Sequence, residues 1–209
     1  MQTFLPYADF EASARVLDTK RLGKQRVEVI QVVRGLTVPG YAWAQHPATL
    51  MWRGYEEALG RYGLTVCEVW VERGFGDTCA ATIVTDLATF GVSVIRPYAE
   101  LAAADALPPW LAGDEVRTSH RSALVRKDPD HYRPVFPDVP DDLAYVWPVR
   151  SAATIEREQR QIASARKRQE RAEQQVLAAQ EAARRRRSAA AKKAAVTRAA
   201  NAKARPNST

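Results

Sequence analysis

The densest group of side chains able to do chemistry occupies one short stretch, Lys20-Arg21-Leu22-Gly23-Lys24-Gln25-Arg26-Val27-Glu28. Cations and amides there surround a single carboxylate. On a helix, Lys20, Lys24, Glu28 and Gln31 follow one another at steps of four, four and three residues and share a polar face. Two readings are open. A Lys24–Glu28 pair on a solvated face would contribute only about 0.2–0.5 kcal/mol. Alternatively, the cations contact phosphates and the carboxylate among them serves as a catalytic acid or base.

Two further groups stand out. Gln45-His46-Pro47 precedes Met51-Trp52-Arg53. A histidine before a helix-starting proline either caps that helix or faces a cleft, where it could take part in catalysis or bind phosphate. Trp52 and Tyr55 read as core rather than as base-stacking platforms. Thr118-Ser119-His120-Arg121, with Arg126 and Lys127 about two turns on, could bring His120 to a phosphate, and equally could be a solvated helix.

The elements that must position these groups are helices. Asp9 is a plausible N-cap for a short helix from Phe10, and a longer one should run from about Asp18 to Arg34. In the longer helix Leu22, Val29, Ile30 and Val33 recur at helical spacing, and Gly35 is placed to end it. Pro47 suits a first turn, so a helix is expected from Ala48 to Arg61, closed by Gly63, with another from Leu64 to Glu72. Thr82 to Phe90 reads as helix although Ile83, Val84 and Thr85 are β-branched. Tyr98 to Ala104 and Asp114 to Lys127 complete the set, with Pro108-Pro109 stopping any continuation between them. Residues 128–149 carry repeated prolines together with Tyr132, Phe136, Tyr145 and Trp147, which predicts an irregular strap wrapped on the core.

Charge divides the chain. Of 31 Lys and Arg and 24 Asp and Glu, residues 151–209 hold 15 and 5, a net of +10. That leaves 16 and 19 in residues 1–150, a net of −3, so the high pI belongs to the tail. The expected organisation is an all-α domain over 1–150 and a basic Ala/Arg/Lys-rich tail over 151–209. From Ala153 to about Ala195 the tail is helix-prone, with too few apolar residues for a heptad seam, and would be a helical or disordered arm that orders on a polyanion. Cys67 and Cys79 have no second pair, which indicates neither a zinc cage nor a disulfide framework and points to a reducing compartment. No signal peptide is apparent, and the longest apolar stretch, Cys79 to Ile95, is short for a membrane span and interrupted by Asp86. A cytoplasmic protein without metal or cofactor, free to associate with the nucleoid, is expected.

In order and spacing, several motifs resemble those of the pyrimidine-dimer DNA glycosylase (endonuclease V-type) family, as a divergent bacterial member. They are Leu17-Asp18-x2-Arg21-Leu22-x5-Glu28, the His46-Pro47 loop, Cys67-x5-Arg73-Gly74-Phe75, and His120-x-Ser122-Ala123-Leu124-x2-Lys127-Asp128-Pro129 before Tyr132. The resemblance covers about residues 1–147 and omits the tail. It implies an all-helical fold and a glycosylase/abasic-site lyase, in which the α-amine exposed by removal of the initiator Met attacks the sugar C1′ and forms an imine. A glutamate on the early helix assists proton transfer, and Glu28 matches it. An α-amine titrates at about 7.7–8 in general, far below a lysine, which suits a nucleophile. Gln2 is large where Met removal favours small residues, which leaves the amine of Met1 itself, or failing that Lys24.

The expected catalytic set is therefore Glu28, Lys24 and His46. Arg21, Arg26, His120 and Lys127, with His46, would contact phosphates of duplex DNA around an extruded nucleotide. The rival is a non-catalytic nucleic-acid-binding protein that relies on its basic tail.

Overall fold

Asp9 and Asp18 start the first two helices as side-chain caps. Asp9 accepts from Ala12 N–H at 2.7 Å and opens α1 (Phe10–Val16), while Asp18 accepts from Arg21 N–H at 3.0 Å and opens α2 (Thr19–Thr37). The computed structural model describes residues 1–149 together with 160, 164, 167–176, 178 and 180. The chain divides after Ser151 into two units, Met1–Ser151 and Ala152–Thr209. Most of the arm expected from Ala153 to Ala195 lies outside the described residues, of which 167–176 are helical.

The first unit is built from helices, with no strand among the described residues. After α2 come α3 (Pro47–Leu50), α4 (Glu56–Glu72), α5 (Cys79–Phe90), α6 (Tyr98–Ala103), a 3-10 turn over Pro109–Ala112, α7 (Asp114–Lys127) and α8 (Pro129–Tyr132). None of these helices is long and apolar enough to cross a membrane. The α2 helix is central and packs on α3, α4 and α5. Leu22, Val29, Val32 and Val33 of α2 are fully buried, at steps that keep them on one side. Each such side chain contributes roughly 1.5–3 kcal/mol by leaving water. Trp52, Tyr62 and Phe10 pack against one another within the same core.

Three boundaries differ from expectation. Gly35 does not end α2, which continues to Thr37; a Cβ on Gly35 would meet Thr49 Cγ2 at 2.9 Å, so its smallness serves the contact with α3. The helix expected from Ala48 breaks after Leu50, where Gly54 at φ 82° turns the chain before α4. Gly63 does not close a helix either. It lies inside α4, where a Cβ would stand 2.6 Å from Val29 Cγ1 and 2.9 Å from Ile83 Cδ1. The missing side chain lets α4 seat against both α2 and α5.

Residues 2–5 enter the core in no regular structure, so side chains must satisfy their backbone groups. Gln25 Nε2 donates to the Gln2 carbonyl at 2.8 Å, and Phe4 N–H donates to Gln25 Oε1 at 2.8 Å. The Tyr62 hydroxyl lies 2.8 Å from both the Phe4 carbonyl oxygen and Gln25 Oε1 and shares its one proton between them. Leu5 N–H donates to His120 Nδ1 at 3.0 Å, and Trp52 Nε1–H donates to Thr3 Oγ1 at 2.9 Å. The strap over residues 133–149 has no helix and packs Tyr145, Val146 and Trp147 on the core. Two serines of α7 hold it: Leu143 N–H donates to Ser122 Oγ and Val146 N–H to Ser119 Oγ.

Gly63→Ala adds a methyl where two branched side chains leave no room. The overpacking costs about 1–3 kcal/mol against a helix-propensity gain of up to about 1 kcal/mol. Denaturant unfolding should show a net loss of about 1–2 kcal/mol. Gly76→Ala, where nothing lies within 4 Å, should stay within about 0.5 kcal/mol.

His120 is wholly buried, and burial pushes its pKa down to about 4. In the unfolded chain the ring titrates near 6.5, so between those values the unfolded state binds more protons and stability falls as pH falls. Wild type should lose about 2 kcal/mol more than His120→Gln between pH 7 and pH 5 in denaturant titrations. The glutamine keeps an acceptor for Leu5 N–H without the titration. Parallel stability–pH profiles would show that the buried ring is not held neutral.

Candidate active site

The anchored N-terminal segment delivers its own amine to α2. The α-amine of Met1 stands 3.9 Å from Glu28 Oε1, with the Met1 side chain 1 % and the Glu28 side chain 8 % exposed. Glu28 Oε2 accepts from Gln25 Nε2 at 2.7 Å. The Gln25 amide has only one workable orientation. Its oxygen receives the Phe4 N–H, and its nitrogen faces two acceptors, the Gln2 carbonyl and the Glu28 carboxylate. Turned over, it would set donor against donor. One amide thus fixes both the path of the N-terminal segment and the carboxylate beside the amine.

These groups line a cavity of about 360 Å³. Met1, Gln25 and Glu28 are its more buried members, Lys20, Lys24 and Lys127 its exposed ones, and Tyr145 of the strap forms part of its wall. Lys24 Nζ lies 3.5 Å from Glu28 Oε1, so two amines flank one carboxylate oxygen. They differ in restraint: the Lys24 side chain is 72 % exposed and free to swing, whereas the Met1 amine is held by the buried segment behind it.

The candidate residues from the sequence separate into groups. Glu28, Lys24 and Lys127 come together at the cavity, and Arg21 joins its lining. Arg21 is also structural: it donates to Asp18 Oδ2 at 2.6 Å, to Asp128 Oδ2 at 3.1 Å and to the Lys127 carbonyl at 2.8 Å, tying α2 to the end of α7. Burial alone would raise the Asp18 carboxyl, but hydrogen bonds from Tyr132 and Arg21 hold it below its ordinary range.

Arg26 does not face the cavity group as expected. Its side chain is 14 % exposed, and its guanidinium pairs with Asp77 and lies 4.1 Å from the centre of the Trp70 ring. Asp77 in turn accepts from Ala80 N–H at 2.8 Å in the first turn of α5. Arg26 therefore joins α2 to α5, and two neighbours already occupy its charge. The expectation that His120 contacts phosphate is also corrected. It is fully buried, bonded to Leu5 N–H and 3.2 Å from the Gln2 side-chain amide, so it positions the N-terminal segment and meets no solvent.

His46 is the side-chain cap of α3, its Nδ1 accepting from Ala48 N–H at 3.1 Å. Accepting at Nδ1 places the ring proton on Nε2 in the neutral form. Burial lowers its pKa, and the positive charge of the N-terminal amine lowers it further, so His46 is neutral near neutral pH. Trp52 is fully buried, as a core residue should be.

Met1, Gln25 and Tyr145 belong to the site, and residue-type reasoning alone did not single out Gln25 or Tyr145. The signal for Gln25 was its place between Leu22 and Val29 on the buried side of α2, where a polar residue must have partners. Tyr145 carried no such signal, since its role depends on where the strap lies.

No curated protein and no solved structure matches the chain. Residues 1–83 match the family model of pyrimidine dimer DNA glycosylases, and they hold Met1, Lys24, Gln25, Glu28 and His46. Over those 83 of its 209 residues the chain is similar to pyrimidine dimer DNA glycosylases.

Proposed function

We propose that this protein is a glycosylase/abasic-site lyase on damaged duplex DNA, with the α-amine of a retained Met1 as nucleophile and Glu28 as acid/base. The observation that carries the reading is an amine 3.9 Å from a carboxylate inside a lysine-bordered cavity. Retention of Met1 has support of its own. Its side chain fills a buried position, and the Gln2 carbonyl is already bonded to Gln25. Losing Met1 would empty that volume and set the amine back by one residue, about 3.8 Å of chain.

The chemistry follows from the two groups. The neutral amine attacks C1′ of the damaged nucleotide as the N-glycosidic bond breaks and the base leaves. Glu28 accepts a proton from the nitrogen and returns one to the ring oxygen as the sugar opens, which leaves an imine. The imine makes the C2′ protons acidic. Removal of one expels the 3′ phosphate and cuts the strand, and water then hydrolyses the imine to free the amine. Lys20, Lys24 and Lys127 supply cations for phosphates on either side of the attacked sugar. Such a protein would work in the cytoplasm with access to the nucleoid.

Borohydride trapping on duplex DNA with an abasic site should give a covalent adduct on the peptide that begins with Met1. Glu28→Gln keeps the shape and the Gln25 hydrogen bond but cannot exchange a proton. Strand cleavage should fall on the order of 10²–10⁴-fold with near-unchanged stability. An adduct on Lys24 would move the nucleophile there. Absence of any adduct with wild type would sink the reading and leave a non-catalytic nucleic-acid-binding protein.

The basic segment beyond residue 150 should supply most of the affinity for undamaged DNA. Deleting residues 151–209 removes a net +10 and leaves −3. Binding to intact duplex should weaken and its salt dependence flatten, since each neutralised phosphate adds about 0.9 to the slope. Equal slopes with and without the segment would refute this.

A further inference from the structure

Two cysteines are the whole thiol complement of the chain, and the packing of α4 on α5 sets them against each other. The two helices run antiparallel, with matched contacts along their length. A Cβ on Gly60 of α4 would stand 2.5 Å from Leu87 Cδ1 of α5, and one on Gly63 would stand 2.9 Å from Ile83 Cδ1. Helical steps forward along α4 lead from 60 to 63 to 67, and helical steps back along α5 lead from 87 to 83 to 79. Cys67 and Cys79 therefore occupy the next rung of the same ladder. Packed helices usually keep their axes about 8–10 Å apart. With no Cβ at the two preceding rungs, α4 and α5 come closer, which is what a disulfide needs, its Cα atoms standing about 4.4–6.8 Å apart.

Asp77 stands between the two thiols. Its carboxylate accepts from Ala80 N–H at 2.8 Å in the first turn of α5 and pairs with Arg26 of α2. It also accepts from the Cys79 N–H and from the Cys67 thiol. Burial alone would raise the Asp77 carboxyl, but these N–H groups and Arg26 hold it below its ordinary range, so it is ionised near neutral pH. A cavity of about 390 Å³ between α4 and α5, with Cys67, Asp77 and Ala80 in its lining, admits small molecules. Cys67 is buried and Cys79 half-buried. Burial pushes the Cys67 thiol far up, and Asp77 and Cys79 push it further. Burial raises Cys79 as well, with Arg26 opposing the rise. Cys79 is thus the thiol that meets an oxidant first.

We propose that Cys67 and Cys79 are a redox modification site that closes to a reversible disulfide when the protein meets a peroxide. The proposal does not depend on the glycosylase reading. The Cys79 sulfur attacks one oxygen of hydrogen peroxide and breaks the O–O bond, which gives a sulfenic acid and one water. The Cys67 sulfur then attacks the Cys79 sulfur while Asp77 takes the Cys67 proton. The hydroxide that leaves Cys79 receives that proton and departs as the second water. Two thiols are oxidised to one disulfide, and one peroxide is reduced to two waters. A cellular dithiol reverses the step, so in a reducing compartment the bond is transient. It would join the first turn of α5 to α4 beside the Arg26–Asp77 pair that fastens α2, the helix that carries Glu28.

The test exposes the full reduced chain to hydrogen peroxide, blocks remaining thiols by alkylation and maps tryptic peptides by mass spectrometry. Cleavage after Arg61, Arg73 and Arg96 places Cys67 in residues 62–73 and Cys79 in residues 74–96. The two peptides should appear joined, lighter than their sum by two hydrogen atoms, and dithiothreitol should separate them. On a non-reducing gel the protein should remain a single chain. In urea the linking should be about tenfold slower, because the fold supplies the proximity. Cys67→Ala should leave Cys79 as a sulfenic acid that dimedone captures, and Cys79→Ala should leave Cys67 unmodified at the same exposure.

Gly63→Ala, which pushes α4 from α5, should slow linking in the folded protein and leave the rate in urea unchanged. Linking no faster in the folded chain than in urea would overturn the proposal. So would Cys79 joined to Cys79 of a second copy, or Cys79 oxidised beyond the sulfenic acid while Cys67 stays free. Equal linking rates for Gly63→Ala and wild type would show that the close approach of the two helices does not bring the thiols together, and would overturn it too.

Discussion

The Gln25 amide is the constraint on which the rest of the site depends. A buried segment of residues 2–5 cannot leave its N–H and C=O groups unpaired, at about 1–3 kcal/mol for each one stranded. Gln25 meets the Phe4 N–H with its oxygen and the Gln2 carbonyl with its nitrogen, and its remaining proton goes to Glu28. The chain path, the amine and the carboxylate are thereby set by one side chain with no free valence. His120 and Tyr62 complete the polar accounting from α7 and α4. The place of the amine beside Glu28 thus follows from satisfying the core.

The cations of the domain divide by type in a way their chemistry explains. Arginine presents several donors in a fixed plane and suits places where carbonyls and carboxylates converge. Arg21 bridges α2 to α7, Arg26 bridges α2 to Asp77, and Arg73 donates to the Leu17 and Arg15 carbonyls at the C-terminal end of α1. These three are structural forks. The lysines at the cavity stay exposed, where a strongly hydrated ammonium costs nothing to keep in water. A domain of net −3 still presents local positive charge at the cavity, where Lys20 and Lys127 are exposed while Arg21 and Arg26 are paired with carboxylates.

Much of the helical framework was legible from caps and spacing. Asp9, Asp18 and the apolar steps of α2 marked α1 and α2, and α7 runs over the expected Asp114–Lys127. The misreadings at Gly35 and Gly63 share a cause. A glycine that ends a helix and one that admits a neighbouring helix look alike until the neighbour is known. His120 and Arg26 were misplaced for a parallel reason: residue type sets what a side chain can do, and burial decides whether DNA can reach it. The approach of Lys24 to Glu28 was legible because four-residue spacing on a helix is local. Tyr145 and Gln25 were not, since each acts through partners more than twenty residues away or on another element.

The α7 helix explains how a site can depend on parts of the chain so far apart in sequence. His120 receives the Leu5 N–H, while Ser119 and Ser122 receive the strap N–H groups of Val146 and Leu143. Three residues within one turn of one helix thus hold the segment that carries the amine and the segment that carries Tyr145. The matched residues 1–83 contain the amine and the carboxylate, but the wall and one bordering lysine come from beyond them. Any change that shifts α7 must move the amine and the wall together, because both hang on the same turn. The amine–carboxylate pair and the surface that surrounds it are therefore coupled mechanically, although only the pair lies in the part of the chain that matches the family model.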